Sequence, residues 1–104
     1  MSVVRLFAEA VAELAEAADW YAARRPGLEL DFLDQVERIL LVIERSPASF
    51  PRLLDLPEDL GIRRALVPRF PYAVVFIDLG TEVRVLAVAH AKRRPGYWLN
   101  RIAT

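Results

Sequence analysis

The sequence predicts an α+β fold of order β-α-α-β-β-β, with a helical hairpin packed on one face of a mostly antiparallel sheet. Three observations carry this. Between Ala8 and Ser46 apolar side chains recur at helical spacing, interrupted once by Arg24-Arg25-Pro26-Gly27. Between Ile62 and His90 three apolar runs are separated by turn residues, the pattern of hairpin-connected strands. A short apolar run, Val3 to Phe7, precedes the first helix and supplies a further strand.

In the first helix Val11, Leu14, Ala15, Ala18 and Tyr21 form the expected buried stripe, with Glu9, Glu13 and Glu16 on another face. Its alanines favour helix because ordering them costs no side-chain entropy. Arg24 and Arg25 suit the negative end of the helix dipole, and Pro26 cannot continue the hydrogen-bond ladder. The second helix begins near Pro26–Leu28 and stops at Ser46-Pro47. It buries Leu28, Phe32, Val36, Ile39 and Ile43 and turns Asp31, Asp34 and Glu44 outward. So short a connection folds the two helices back on each other.

Residues 47–60 carry three prolines and no period, yet Phe50, Leu53, Leu54, Leu56 and Leu60 predict that this connection packs on the body. Ile62 to Val67 alternates, with Ile62, Arg64 and Leu66 on one face and Arg63, Ala65 and Val67 on the other. Pro68-Arg69-Phe70-Pro71 is a turn, Tyr72 to Asp78 a strand, Leu79-Gly80-Thr81 a hairpin loop and Glu82 to His90 the last strand. In that strand Val83, Val85, Ala87 and Ala89 share one face, and Arg84, Leu86, Val88 and His90 the other. Both faces are apolar, so the strand lies inside the sheet. The helices cover one side. The other, with Leu86 and Val88, is expected to present an apolar surface to a partner.

A chain of 104 residues is expected to form one domain, residues 1–104, and its 55% hydrophobic and 27% charged content suits a packed core. The absence of cysteine fits a cytoplasmic protein. Arg5 and the glutamates that follow rule against a signal peptide, and no run approaches the ~18 apolar residues of a membrane span. One histidine and no cysteine leave no zinc cluster, and four scattered glycines make no phosphate-cradling loop. No metal and no cofactor are therefore expected.

The formal net charge of zero hides a polarity. Residues 1–60 hold twelve acids and six bases, a net of −6. Residues 61–104 hold eight bases and two acids, a net of +6. The basic part culminates in His90-Ala91-Lys92-Arg93-Arg94-Pro95-Gly96-Tyr97-Trp98, which delivers a histidine, three consecutive cations and two aromatics to the end of a sheet. Such groups bind phosphates, stack on bases or clamp an acidic partner chain.

The order of elements, together with particular local sequences, resembles the RelE/ParE superfamily of toxins from bacterial type II toxin–antitoxin pairs. The resemblance covers nearly the whole chain. It rests on Ala18-Asp19-Trp20-Tyr21, Pro26-Gly27-Leu28 and Phe32-Leu33 in the helices. In the sheet it rests on Arg63-Arg64, Arg69-Phe70-Pro71-Tyr72 and Val85-Leu86-Ala87-Val88-Ala89-His90, and near the end on Arg93-Arg94-Pro95-Gly96-Tyr97-Trp98. It implies a toxin neutralised by a cognate antitoxin whose tail wraps it. Some members of the superfamily cleave mRNA on the ribosome and others poison DNA gyrase. The Trp-Tyr pair and the Pro-Gly bend look more ParE-like than RelE-like.

The two branches ask different things of the residues. Cutting RNA through its 2′-hydroxyl needs a base, an acid and cations on the phosphate. For that chemistry His90, Arg64 and Tyr97 are the candidate catalytic groups. Only Asp78 and Glu82 are carboxylates in the basic part, so no Glu–His pair is expected, and Lys92 is the sole lysine. Poisoning gyrase needs only a docking surface. Arg63, Arg64, Arg84, Leu86, Val88, Lys92, Arg93, Arg94, Tyr97 and Trp98 are the candidates for binding antitoxin or target. Arg63 and Arg64 point to opposite faces, so only one of them can face a given groove. Blander roles stand beside these: His90 bonding a neighbour at a strand end, the three cations in a solvated turn, and Tyr97 and Trp98 as a plug on the core. A non-toxic binding module of the same fold is the remaining alternative.

Overall fold

A computed structural model describes residues 2–53 and 60–102. Leu54 and Leu56, expected to pack on the body, lie outside the described residues. The strands are β1 (Val3–Leu6), β2 (Ile62–Leu66), β3 (Tyr72–Asp78) and β4 (Glu82–His90), and the helices α1 (Ala8–Arg24) and α2 (Leu28–Arg45). The sheet order is β1-β4-β3-β2. β1 runs parallel to β4, and the other two pairings are antiparallel. This is the expected α+β architecture, with β4 inside the sheet.

Both helices pack on one face. Between them Gly27 takes a left-handed φ of 96°, a conformation that costs a side-chain-bearing residue strain, so the hairpin can close in three residues. α2 buries Phe32, Val36 and Ile43 as its spacing predicts. α1 follows its predicted stripe in part: Tyr21 is buried and Leu14 and Ala18 are half-buried against the core. Ala10, Ala17 and Tyr21 are its buried residues, while Val11 is 51% exposed and Ala15 is exposed. The stripe is shifted toward Ala10 and Ala17, two alanines small enough for close approach, while Tyr21 stays at its centre. Tyr21, Phe32, Phe70 and Tyr72 then stack as one aromatic cluster, with ring centroids such as Tyr21–Phe70 at 5.0 Å and Phe32–Tyr72 at 5.2 Å.

β4 departs from simple alternation. Ala87 lies opposite Val75 but Val85 lies opposite Phe76, so Leu86 is an extra residue, a β-bulge. The bulge re-aims everything after it. Val83, Val85 and Val88 join the core under the helices, while Leu86, Ala87 and Ala89 join the cluster on the opposite face. The expected pairing of Leu86 with Val88 on one open apolar face is therefore wrong, and both are buried, at 0% and 3% exposure. The opposite face has its own cover. Trp98, 4% exposed, packs there with Ile62, Val75, Ile77, Leu86 and Ala87, backed by Leu53, Leu60, Tyr97 and Ile102. No helix among the described residues is long and apolar enough to cross a membrane.

Candidate partner interface

At the His90 end of β4 the chain enters an exposed turn carrying Lys92, Arg93 and Arg94. The turn is held by its backbone. The Ala91 amide donates to the Pro71 carbonyl at 2.8 Å and the Arg93 amide to the His90 carbonyl at 3.0 Å. The Lys92 amide donates to His90 Nδ1 at 3.0 Å. That bond makes Nδ1 an acceptor and leaves Nε2 to carry the proton of the neutral ring. The imidazole also stands edge-on to Tyr72, with centroids 5.0 Å apart. Gly96 closes the turn at φ 82°, where a Cβ would stand only 3.2 Å from the Leu99 side chain.

Two grooves flank this turn. One, of about 410 Å³, opens on the sheet face away from the helices. Ala73, Val75, Ala89 and Trp98 give it apolar lining. Arg64, Arg93 and Arg94 line it with positive charge, and no carboxylate among the described residues lines it. Arg64 and Arg94 have no ion-pair partner among the described residues. The second groove, of about 510 Å³, lies between α1 and the sheet end and mixes Glu16 with Lys92 and Arg93 beside Trp20, Tyr72 and Val88. Trp20 is 52% exposed, with the Arg24 guanidinium 4.3 Å from its ring centroid. His90 and Arg93 border both grooves.

Behind the turn sits a polar cluster that sequence reasoning missed. The Glu13 carboxylate, on α1, accepts from the Val88 amide at 3.1 Å and from the Tyr97 hydroxyl at 2.5 Å. The Arg101 guanidinium grips it with two bonds of 3.0 Å and also donates to the Leu86 carbonyl at 2.8 Å. Burial alone would raise the Glu13 carboxyl, but the bonds from Arg101, Tyr97 and Val88 outweigh it and hold it below the ordinary carboxylate range. Burial, and then the Glu13 carboxylate, push the Tyr97 hydroxyl up to about 12. Arg93 lies over the Tyr97 ring at 3.9 Å. Ala10, Glu13 and Ala17 share helical spacing, and once Ala10 and Ala17 meet the sheet Glu13 lies beside them.

The structure sorts the candidates. His90, Arg64 and Tyr97, proposed for catalysis, all line the first groove, as do Arg93, Arg94 and Trp98. Arg63 turns to the other face, donates to the Phe50 carbonyl at 2.6 Å and stands 3.8 Å from Asp78. Arg84 lies six residues before His90, ~20 Å along the strand, where it bonds Glu82 at 3.0 Å. Leu86, Val88 and Trp98 are spent on the protein's own packing. A carboxylate does reach the basic segment, as Glu13 from the first helix, but it bonds Val88, Tyr97 and Arg101 rather than His90.

Two helices on one side of a β1-β4-β3-β2 sheet make this a ParE-like fold. A chain in the solved structure described as the chromosomal ParDE TA system from P. aeruginosa superposes with a TM-score of 0.75, covering 88% of this chain and 98% of that one. The two sequences are 19% identical, so the likeness is one of fold. No protein-family model matches this chain, and neither does any curated protein sequence.

Proposed function

We propose that this protein is the toxin of a type II toxin–antitoxin pair, that it acts in the cytoplasm, and that it works by docking on DNA gyrase rather than by cutting RNA. The observation that carries the choice of mechanism is the bond from Tyr97 to Glu13. A hydroxyl donated to a carboxylate, with its pKa raised to about 12, is a poor proton carrier near neutral pH. That leaves His90 alone, with Nδ1 already accepting the Lys92 amide. Docking needs none of this chemistry. It needs an exposed cationic, aromatic-backed surface, which Lys92, Arg93 and Arg94 supply. The fold likeness to a chain of a ParDE TA system supports the same branch.

The partner in the pair would be a cognate antitoxin. The groove with apolar lining and unpaired Arg64 and Arg94 suits an acidic, amphipathic tail. The alternative, a ribosome-dependent endoribonuclease using His90, Arg64 and Tyr97, draws support from their shared groove. One pair of assays on the induced protein separates the two. We expect inhibition of gyrase supercoiling with trapped DNA breaks, and growth arrest that survives His90→Ala. Codon-positioned mRNA cuts that vanish in His90→Ala, with supercoiling untouched, would establish the ribonuclease instead.

A further inference from the structure

β1 ends at Leu6, and the chain then leaves the sheet for α1. The register of β1 with β4 stops at Val85, so among the described residues no strand lies beside the later part of β4 on that edge. An uncovered strand edge leaves amides and carbonyls seeking partners. Here two side chains supply them. Glu13 takes the Val88 N–H and Arg101 gives to the Leu86 carbonyl, immediately around the bulge. The two are joined by a bidentate ion pair, with side chains 13% and 12% exposed. Tyr97 adds its hydroxyl to the same carboxylate, and its ring is the platform on which Arg93 rests.

We propose that Glu13 is a positioning residue for the docking surface: acting through Tyr97 and Arg101, it latches residues 97–102 onto the open edge of β4 and so fixes the cationic turn Lys92–Arg94. The functional half of this rests on the docking reading above; the latch itself does not. Its chemistry is directional. The acid must stand where the Val88 N–H points, and the guanidinium where the Leu86 carbonyl points. An ordinary ion pair would tolerate exchange of the two charges, and this one would not. Glu13 borders the second groove, but its side chain is only 13% exposed and its carboxylate is taken up by Val88, Tyr97 and Arg101, so its effect on docking runs through Tyr97, Arg101 and the Arg93 that Tyr97 supports.

The test uses the full chain and four variants: Glu13→Gln, Arg101→Lys, Tyr97→Phe and the exchanged pair Glu13→Arg with Arg101→Glu. Amide hydrogen exchange at Val88 is compared with that at Val74 and Phe76 in the core. For Glu13→Gln we expect the Val88 amide to exchange about ten- to a hundredfold faster, the range set by losing hydrogen bonds to a charged group. The core amides should change far less, and the killing on induction should fall by about tenfold. Arg101→Lys keeps the charge but loses the fork, and should give an intermediate exchange rate. Tyr97→Phe removes one bond and leaves Val88 protected, separating the edge from the turn. The exchanged pair should restore neither protection nor killing. Recovery in that variant, or core amides that accelerate in proportion to Val88, would overturn the proposal. If wild-type protein itself fails to arrest growth, the docking reading falls, and the exchange rates still decide the latch.

Discussion

The two faces of the sheet are covered by different kinds of structure. Under the helices, Phe32, Val36 and Ile43 of α2 and Ala10, Ala17 and Tyr21 of α1 meet Val74, Phe76, Val83, Val85 and Val88. That cover is periodic and continuous, and α1 follows β1 after Phe7 alone. The opposite face is covered by irregular chain, with Trp98 at its centre and Leu53, Leu60, Tyr97 and Ile102 around it. Its C-terminal portion is held by one aromatic plug and one polar cluster. In the docking reading proposed above, the difference separates stability from function. The helical side holds the fold together, whereas the other side keeps a groove beside the plug and carries the exposed cations at its margin.

The sharpest way to break this comparison is to empty each side in turn. Phe32→Ala removes a ring with 0% exposure at the heart of the aromatic cluster, and should cost about 3–5 kcal/mol in one cooperative transition. Trp98→Ala should cost about 3 kcal/mol, with the loss concentrated on its own face. Denaturant unfolding followed by far-UV circular dichroism and by Trp20 fluorescence measures both. If Trp98→Ala costs as much as Phe32→Ala and exposes the core amides equally, the two faces form one unit and the contrast fails.

A smaller effect sharpens the same contrast through pH. Glu13 is held below the ordinary carboxylate range, so its contribution is present above the unfolded value of about 4.3 and is lost as pH falls through the depressed folded value. Tyr97 is raised to about 12, so its contribution is complete below about 10 and disappears as pH rises from there through about 12. Each limb should amount to no more than about 1.5–3 kcal/mol, the scale of hydrogen bonds to a charged group. Stability measured across pH in Glu13→Gln should show a flatter acid limb, and in Tyr97→Phe a flatter alkaline one. Limbs unchanged from wild type would mean that other groups govern both transitions.

The same contrast explains what the sequence disclosed. The helices, the hairpin and the opposite faces of Arg63 and Arg64 were legible because period and turn residues report them directly. The bulge at Leu86 was not, because β4 is apolar on both faces and alternation there carries no mark of an inserted residue. The shift of the α1 stripe was hidden for a similar reason, since Val11 and Ala10 are both acceptable core residues. Glu13 was set with the solvated acids because a glutamate on a helix is usually there. Only the position of β4's open edge, a tertiary fact, makes it a partner for Val88 and Arg101. The cationic turn stood out in the sequence, but the groove beside it depends on where Trp98 lands.

The claim at the centre is that the turn after β4, rather than a catalytic group, carries the activity. Its most direct measurement is gyrase supercoiling in the presence of purified wild-type chain and of the triple variant Lys92→Glu, Arg93→Glu, Arg94→Glu. All three side chains are exposed, so the variant should keep the wild-type circular dichroism spectrum. The account predicts that wild-type protein inhibits supercoiling at low salt and that the folded triple variant does not. Inhibition undiminished in the triple variant, or no inhibition by either protein, would contradict it.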